Sequence, residues 1–99
     1  MKTKKEEYID KMAEQLKEWS GKVDELESRA GSAASDMKTG YAQRVRELRE
    51  KRETVTRRLA EVRDSSGEAW EAMKVGVETA WSEFKDGITA ALDKFKKAA

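Results

Sequence analysis

Apolar side chains recur every three or four positions along nearly the whole chain. The run starts at Ile9 and continues through Met12, Leu16, Trp19, Val23, Leu26, Ala30, Ala33, Met37, Tyr41, Val45 and Leu48. It resumes after Arg52 with Val55, Leu59 and Val62, and then with Trp70, Met73, Val77, Trp81, Phe84, Ile88, Leu92 and Phe95. Alternating steps of three and four place such residues on one stripe of an α-helix. The chain contains no proline, so nothing forces that stripe to stop. The pattern predicts an all-α protein whose core is a set of seams between helices.

Local signals then divide the stripe. Thr3 and Glu6 form the capping box Thr-x-x-Glu at the start of the first helix. Glu7 with Lys11, Glu18 with Lys22 and Glu25 with Arg29 are i,i+4 pairs on its flanks, each worth about 0.3 kcal/mol. Residues 31–40 point both ways. Gly31 and Gly40 each cost about 1 kcal/mol in a helix interior, and Ser32 or Ser35 suits the cap of a new helix. Against that, Ala30, Ala33 and Met37 carry the stripe straight through, with a one-residue slip before Tyr41 that local unwinding can absorb. The balance favours one helix over about residues 3–64 with a weak waist at 31–40. A sharper break follows: Ser65, Ser66 and Gly67 make a turn, Ser65 and Glu68 form a second capping box, and the register changes between Val62 and Trp70. A last helix is predicted over about 67–97, with Lys94, Lys96 and Lys97 favouring the negative end of its dipole.

The last helix has a wider apolar face than the rest. Beside its large residues runs a lane of Ala69, Gly76, Ala80, Gly87, Ala91 and Ala98, where another helix can approach closely. A helix over 3–64 would be about 90 Å long, and the last helix covers only about half of it. The seam of residues 9–30 would then lie bare, which is too apolar to leave in water. The predicted architecture is therefore a long helix folded back on a shorter one, a helical hairpin in a single coiled-coil domain, closed by an antiparallel homodimer. The alternative is a bend at residues 31–35, which gives a monomeric three-helix up-down-up bundle with the same contacts.

Composition fits either solution. Of the 99 residues, 37% are hydrophobic and 41% charged, the balance of a narrow buried stripe on a wet rod. Net charge is +1, so no global field draws the chain to nucleic acid or anionic lipid. The charge is uneven, with −1 in residues 1–31, +3 in 32–64 and −1 in 65–99. Cysteine is absent, which excludes a disulfide framework. The opening MKTKKEEYID has no apolar run behind its lysines, unlike a signal peptide, and no uncharged stretch reaches the ~18 residues of a membrane span. A cytoplasmic location is the expectation.

Leu16-Lys-Glu-Trp19, Arg46-Glu-Leu-Arg-Glu-Lys-Arg52, Ser66-Gly67-Glu-Ala-Trp70-Glu-Ala-Met73-Lys, Gly76-Val-Glu and Ala80-Trp81 together cover most of the chain. They resemble a group of small bacterial coiled-coil proteins that carry a stress-response label. Ser-Gly-Glu-Ala-Trp followed by Gly-Val-Glu-x-Ala-Trp is the most specific part. The resemblance implies a long helix turned back on a shorter one and a stress association. It implies no activity and no site residues. The Gly-Ser-Ala-Ala-Ser at 31–35 departs from the Lys-, Ala- and Asp-rich segment of that group.

The chemistry-bearing residues point away from catalysis. There is no cysteine or histidine to act as nucleophile, base or bundle metal ligand, and no glycine-rich phosphate loop. No enzyme activity, cofactor or metal is expected. Arg44, Arg49 and Arg57, within a basic middle segment, are the candidate nucleic-acid contacts, but Glu47, Glu50, Glu53 and Glu61 interleave with them. Arg52 occupies a seam position, where its stem can pack while its guanidinium sets register or partner choice. Trp70, Trp81, Phe84 and Phe95 give the last helix a face that suits a membrane surface, yet tryptophans at such spacing more often form core layers. The expectation is a self-associating scaffold or spacer. A binding module for nucleic acid or for a membrane surface is the alternative.

Overall fold

In a computed structural model, which describes residues 1–98 and their side chains as far as Lys96, three helices of nearly equal length follow one another. They are α1 (Lys4–Gly31), α2 (Ser35–Asp64) and α3 (Ala69–Ala98). No strand occurs among the described residues. The capping box forms as read: the Glu6 N–H donates to Thr3 Oγ1 at 3.1 Å, and the Thr3 N–H donates to Glu6 Oε1 at 3.3 Å.

The continuous helix over 3–64 is not what the chain adopts. Residues 32–34 leave the helix and reverse the chain. Ser32 ends α1, its N–H donating to the carbonyls of Arg29 and Ala30, and Ala34 turns extended at φ −60°, ψ 150°. The physical reason lies in what the fold-back buries. Val23, Leu26 and Ala30 of α1 meet Val45, Leu48 and Val55 of α2 in one cluster, so the apolar stripe is covered without a second chain. Gly31 and two serines make the reversal cheap. The α2 start is nonetheless poorly built: Ala34 supplies no side-chain cap, and only its carbonyl serves, accepting from the Met37 and Lys38 N–H groups.

The second reversal also differs in detail. Residues 65–68 form the link and α3 begins at Ala69, two residues later than read. Ser65 does not cap α3. Its hydroxyl donates back to the Val62 carbonyl at 2.6 Å and closes the end of α2. Gly67 holds φ +61°, a left-handed value that favours glycine, and so fixes the turn. The Lys5 ammonium donates to the Ser65 carbonyl at 2.9 Å and the Arg63 carbonyl at 3.3 Å, where a helix C-terminus attracts a cation.

The three-helix up-down-up alternative is the one that fits. Lys5 beside Ser65, Tyr8 against Trp70 and Tyr41 against Phe95 set α1 parallel to α3 and antiparallel to α2. The bundle measures 52 × 21 × 17 Å rather than a rod of about 90 Å. Two apolar clusters fill it. The larger includes Leu26, Leu48, Val55, Phe84 and Ile88; the smaller, toward the α2–α3 turn, holds Met12, Leu59, Val62, Trp70 and Val77. The small lane lets α2 in as expected: Ala80 and Ala91 are buried, and a Cβ on Gly87 would lie 2.9 Å from Leu48 Cδ2. The lane's last member, Ala98, and the Lys97 side chain fall outside the described side chains.

Candidate interaction surfaces

The predicted seam residues converge inside the bundle. All are buried or half-buried except Met73, which is 39% exposed. The tryptophans sit in layers. Trp19 meets Trp81 edge to face with centroids 6.1 Å apart, and Trp70 packs on Tyr8 at 5.9 Å. Lysines roof these layers: Lys22 lies 4.6 Å and Lys85 5.9 Å over the Trp19 ring, and Lys74 covers both Tyr8 and Trp70. Lys22 thus turns to a ring, whereas Glu25 and Arg29 close their i,i+4 pair at 3.1 Å. Trp70, Phe84 and Phe95 are buried, so the aromatic face of α3 looks inward. Among the described residues, no helix is long and apolar enough to cross a membrane.

Tyr8 is a core residue that the stripe did not mark, because it stands one position before Ile9. The only sequence signal was its i,i+4 relation to Met12. Its hydroxyl is buried without a hydrogen-bond partner. Burial, with a smaller push from the Glu78 charge, raises its pKa to about 12. At the α2 end, the exposed Arg63 guanidinium donates to Asp64 at 3.0 Å and holds that carboxyl below its usual range.

The three candidate nucleic-acid arginines do not come together. Arg49 reaches α1 and pairs with Glu27. Arg44 lies in a recess with Tyr41 and Lys94, toward α3. Arg57 is exposed on α2, and among the described residues no ion pair to it is closed. Arg58, on the α3 side, lies over Gly76 and pairs with Glu61 at 3.3 Å. A phosphate backbone would meet these charges on different sides of α2. Arg52 is half-buried at its seam position beside Leu59 and Thr56, with Asp24 lining the same recess, and among the described residues no ion pair to it is closed.

The α1–α2 side carries a feature that the sequence reading missed. One recess runs between Ala13, Ser20 and Gly21 of α1 and Arg52 and Thr56 of α2, with Leu16 and Leu59 between them. A second continues along the same two helices, between Ala30 and Gly31 of α1 and Ala42 and Val45 of α2. Small residues on both walls leave this groove shallow, and the Arg49–Glu27 ion pair bridges it at the second recess. The α2 wall is basic through Lys38, Arg46, Arg49 and Arg52, whereas Asp24 and Glu27 stand on the α1 wall. Arg49 keeps its Nε buried without a partner. No group of acidic side chains among the described residues is arranged to hold a metal ion. In comparison with known proteins, no family model, no curated protein and no solved structure matches the chain.

Proposed function

We propose that this chain is a non-enzymatic structural and interaction protein, a short helical module that works by presenting its outer surfaces to other protein. The observation that carries the reading is the groove between α1 and α2, small-walled and basic on one side, on a bundle whose own apolar stripe is already covered. The spacer role of a long rod loses its footing, because the seam of residues 9–30 no longer needs a second copy to bury it. Dispersal of Arg44, Arg49 and Arg57 around α2 favours a protein partner over a phosphate backbone.

Small-angle scattering coupled to size exclusion with absolute mass tests this. In dilute solution the expected particle has one chain of 11.3 kDa and a long dimension near the 52 Å of the bundle. A two-chain particle near ~95 Å would mean that residues 32–34 had straightened into helix, and would return the protein to the rod reading.

A further inference from the structure

The outer face of α3 is the counterpart of the groove. Val75 is 66% exposed there, and Thr79 and Ser82 continue the strip with Glu78 and Glu83 beside them. Glu71 and Asp86 extend it by helical spacing. Among the described side chains, Lys74 and Lys85 are turned toward α1 over the rings of Tyr8, Trp70 and Trp19 and away from this face. The strip from Glu71 to Asp86 is about 22 Å long, and the groove from Ala13 to Gly31 about 27 Å. The two surfaces match in length and oppose in charge. They also lie on different sides of the molecule, because α3 does not line the groove.

Resting on the module reading above, we propose that the α3 strip of one copy docks in the α1–α2 groove of the next. Val75 enters the small-walled groove, and the carboxylates flanking it meet Lys38, Arg46 and Arg52. That contact gives the half-buried Arg52 at the groove an acceptor from outside the bundle. The contact is head-to-tail, so it grows chains or closes a ring instead of stopping at a two-fold pair. A strip one helix wide falls below a standard interface, so the association is weak, steered by charge and screened by salt.

Sedimentation at rising protein concentration, in low salt and in about 0.5 M salt, tests the proposal. In low salt the average mass climbs with concentration, and in high salt it returns to one chain. The strip variant Val75→Ser/Glu78→Gln/Glu83→Gln and the groove variant Lys38→Gln/Arg46→Gln each weaken association about tenfold or more. Circular dichroism confirms that both stay folded, since every changed side chain is exposed. An equimolar mixture of the two variants retains one intact strip and one intact groove, and stops at two chains. A compact monomer at every concentration overturns the docking but leaves the module reading standing. Association that ignores both variants overturns it as well. A straightened two-chain rod overturns the module reading itself, and the docking with it.

Discussion

Four glycines on the helices of this bundle should respond to alanine in opposite directions. Replacing glycine by alanine inside a helix gains about 1 kcal/mol, because alanine loses less backbone freedom on folding. At Gly21 and Gly40 a Cβ meets nothing within 4 Å, and at Gly76 it meets Arg58 Cδ at 3.6 Å, an ordinary contact. Each of these substitutions should therefore stabilise by nearly the full amount, raising Tm by about 4–8 °C in a chain of this size. At Gly87 the added carbon would sit 2.9 Å from Leu48 Cδ2. Leu48 is 3% exposed, so its side chain cannot swing into water to make room. Overpacking of this kind costs about 1–3 kcal/mol, which cancels or exceeds the helix gain. Gly87→Ala should then be neutral to destabilising by about 2 kcal/mol, the reverse of Gly76→Ala on the same helix. Urea unfolding followed by circular dichroism measures each midpoint at constant slope. A cycle with Leu48→Ala should show coupling of about 1 kcal/mol or more, because the shortened side chain relieves the clash. If Gly87→Ala stabilises as much as Gly76→Ala, with no coupling to Leu48, then α2 and α3 do not meet in this register and the packing argument fails.

Other substitutions test other parts of the chain. Ala34→Asp supplies the missing cap of α2 and should stabilise by about 1 kcal/mol in thermal melts, whereas no gain would mean that α2 does not start there. Tyr8→Phe removes a buried hydroxyl that has no partner, and should leave stability unchanged or raise it by up to about 1 kcal/mol. Its pH signature has a definite sign. The folded phenol titrates at about 12 and the unfolded one near 10, so the unfolded chain releases its proton first. The Tyr8 contribution to stability is therefore constant below about pH 10 and declines between about 10 and 12, and the phenylalanine variant should lack that decline. Arg52→Met keeps the packing stem and deletes an unpaired seam charge, so the urea midpoint should hold or rise; a loss above about 1 kcal/mol would mean that the guanidinium has a partner within the chain.

The core was legible because periodicity reports which face of a helix is buried, and Val23, Leu26, Val45, Val55, Phe84 and Ile88 are all on the face it marked. Periodicity does not report whether the helix is continuous. Ala30, Ala33 and Met37 keep step across residues 32–34, although the backbone there reverses. Their spacing serves a straight helix against a second chain and a bent one against itself equally well. The second break was clearer, since Gly67 and the register change agreed, but Ser65, read as the cap that opens α3, closes α2 instead, because its spacing to Glu68 does not show which helix its hydroxyl serves. The groove was invisible for a different reason. Its walls come from residues about 10–45 positions apart on two helices, and their common side is set by the rotation of α1 about α2, which no single-helix pattern encodes. Basic character was visible in the middle segment. Its division into an Arg49 that faces α1 and an Arg58 that faces α3 required the third helix.

Why the chain folds on itself follows from comparing the two arrangements that share these contacts. Straightening residues 32–34 would add helical hydrogen bonds at the waist and relieve the uncapped start at Ala34. It would also separate the α1 residues Val23, Leu26 and Ala30 from the α2 residues Val45 and Leu48 of the same chain, so a second molecule would have to replace each contact. Bringing two chains together costs several kcal/mol of translational and rotational freedom, whereas a three-residue link costs only the closure of a very short loop. The expected outcome is the closed bundle in dilute solution, with the open form gaining only as concentration rises. Strengthening the cap with Ala34→Asp shifts that balance further toward the closed form, because the carboxylate accepts from N–H groups that lack a helical acceptor only when α2 begins at Ser35. The same variant thus separates two routes to larger particles. It should suppress assembly by exchange of helices while leaving the salt-sensitive docking of α3 on the α1–α2 groove intact.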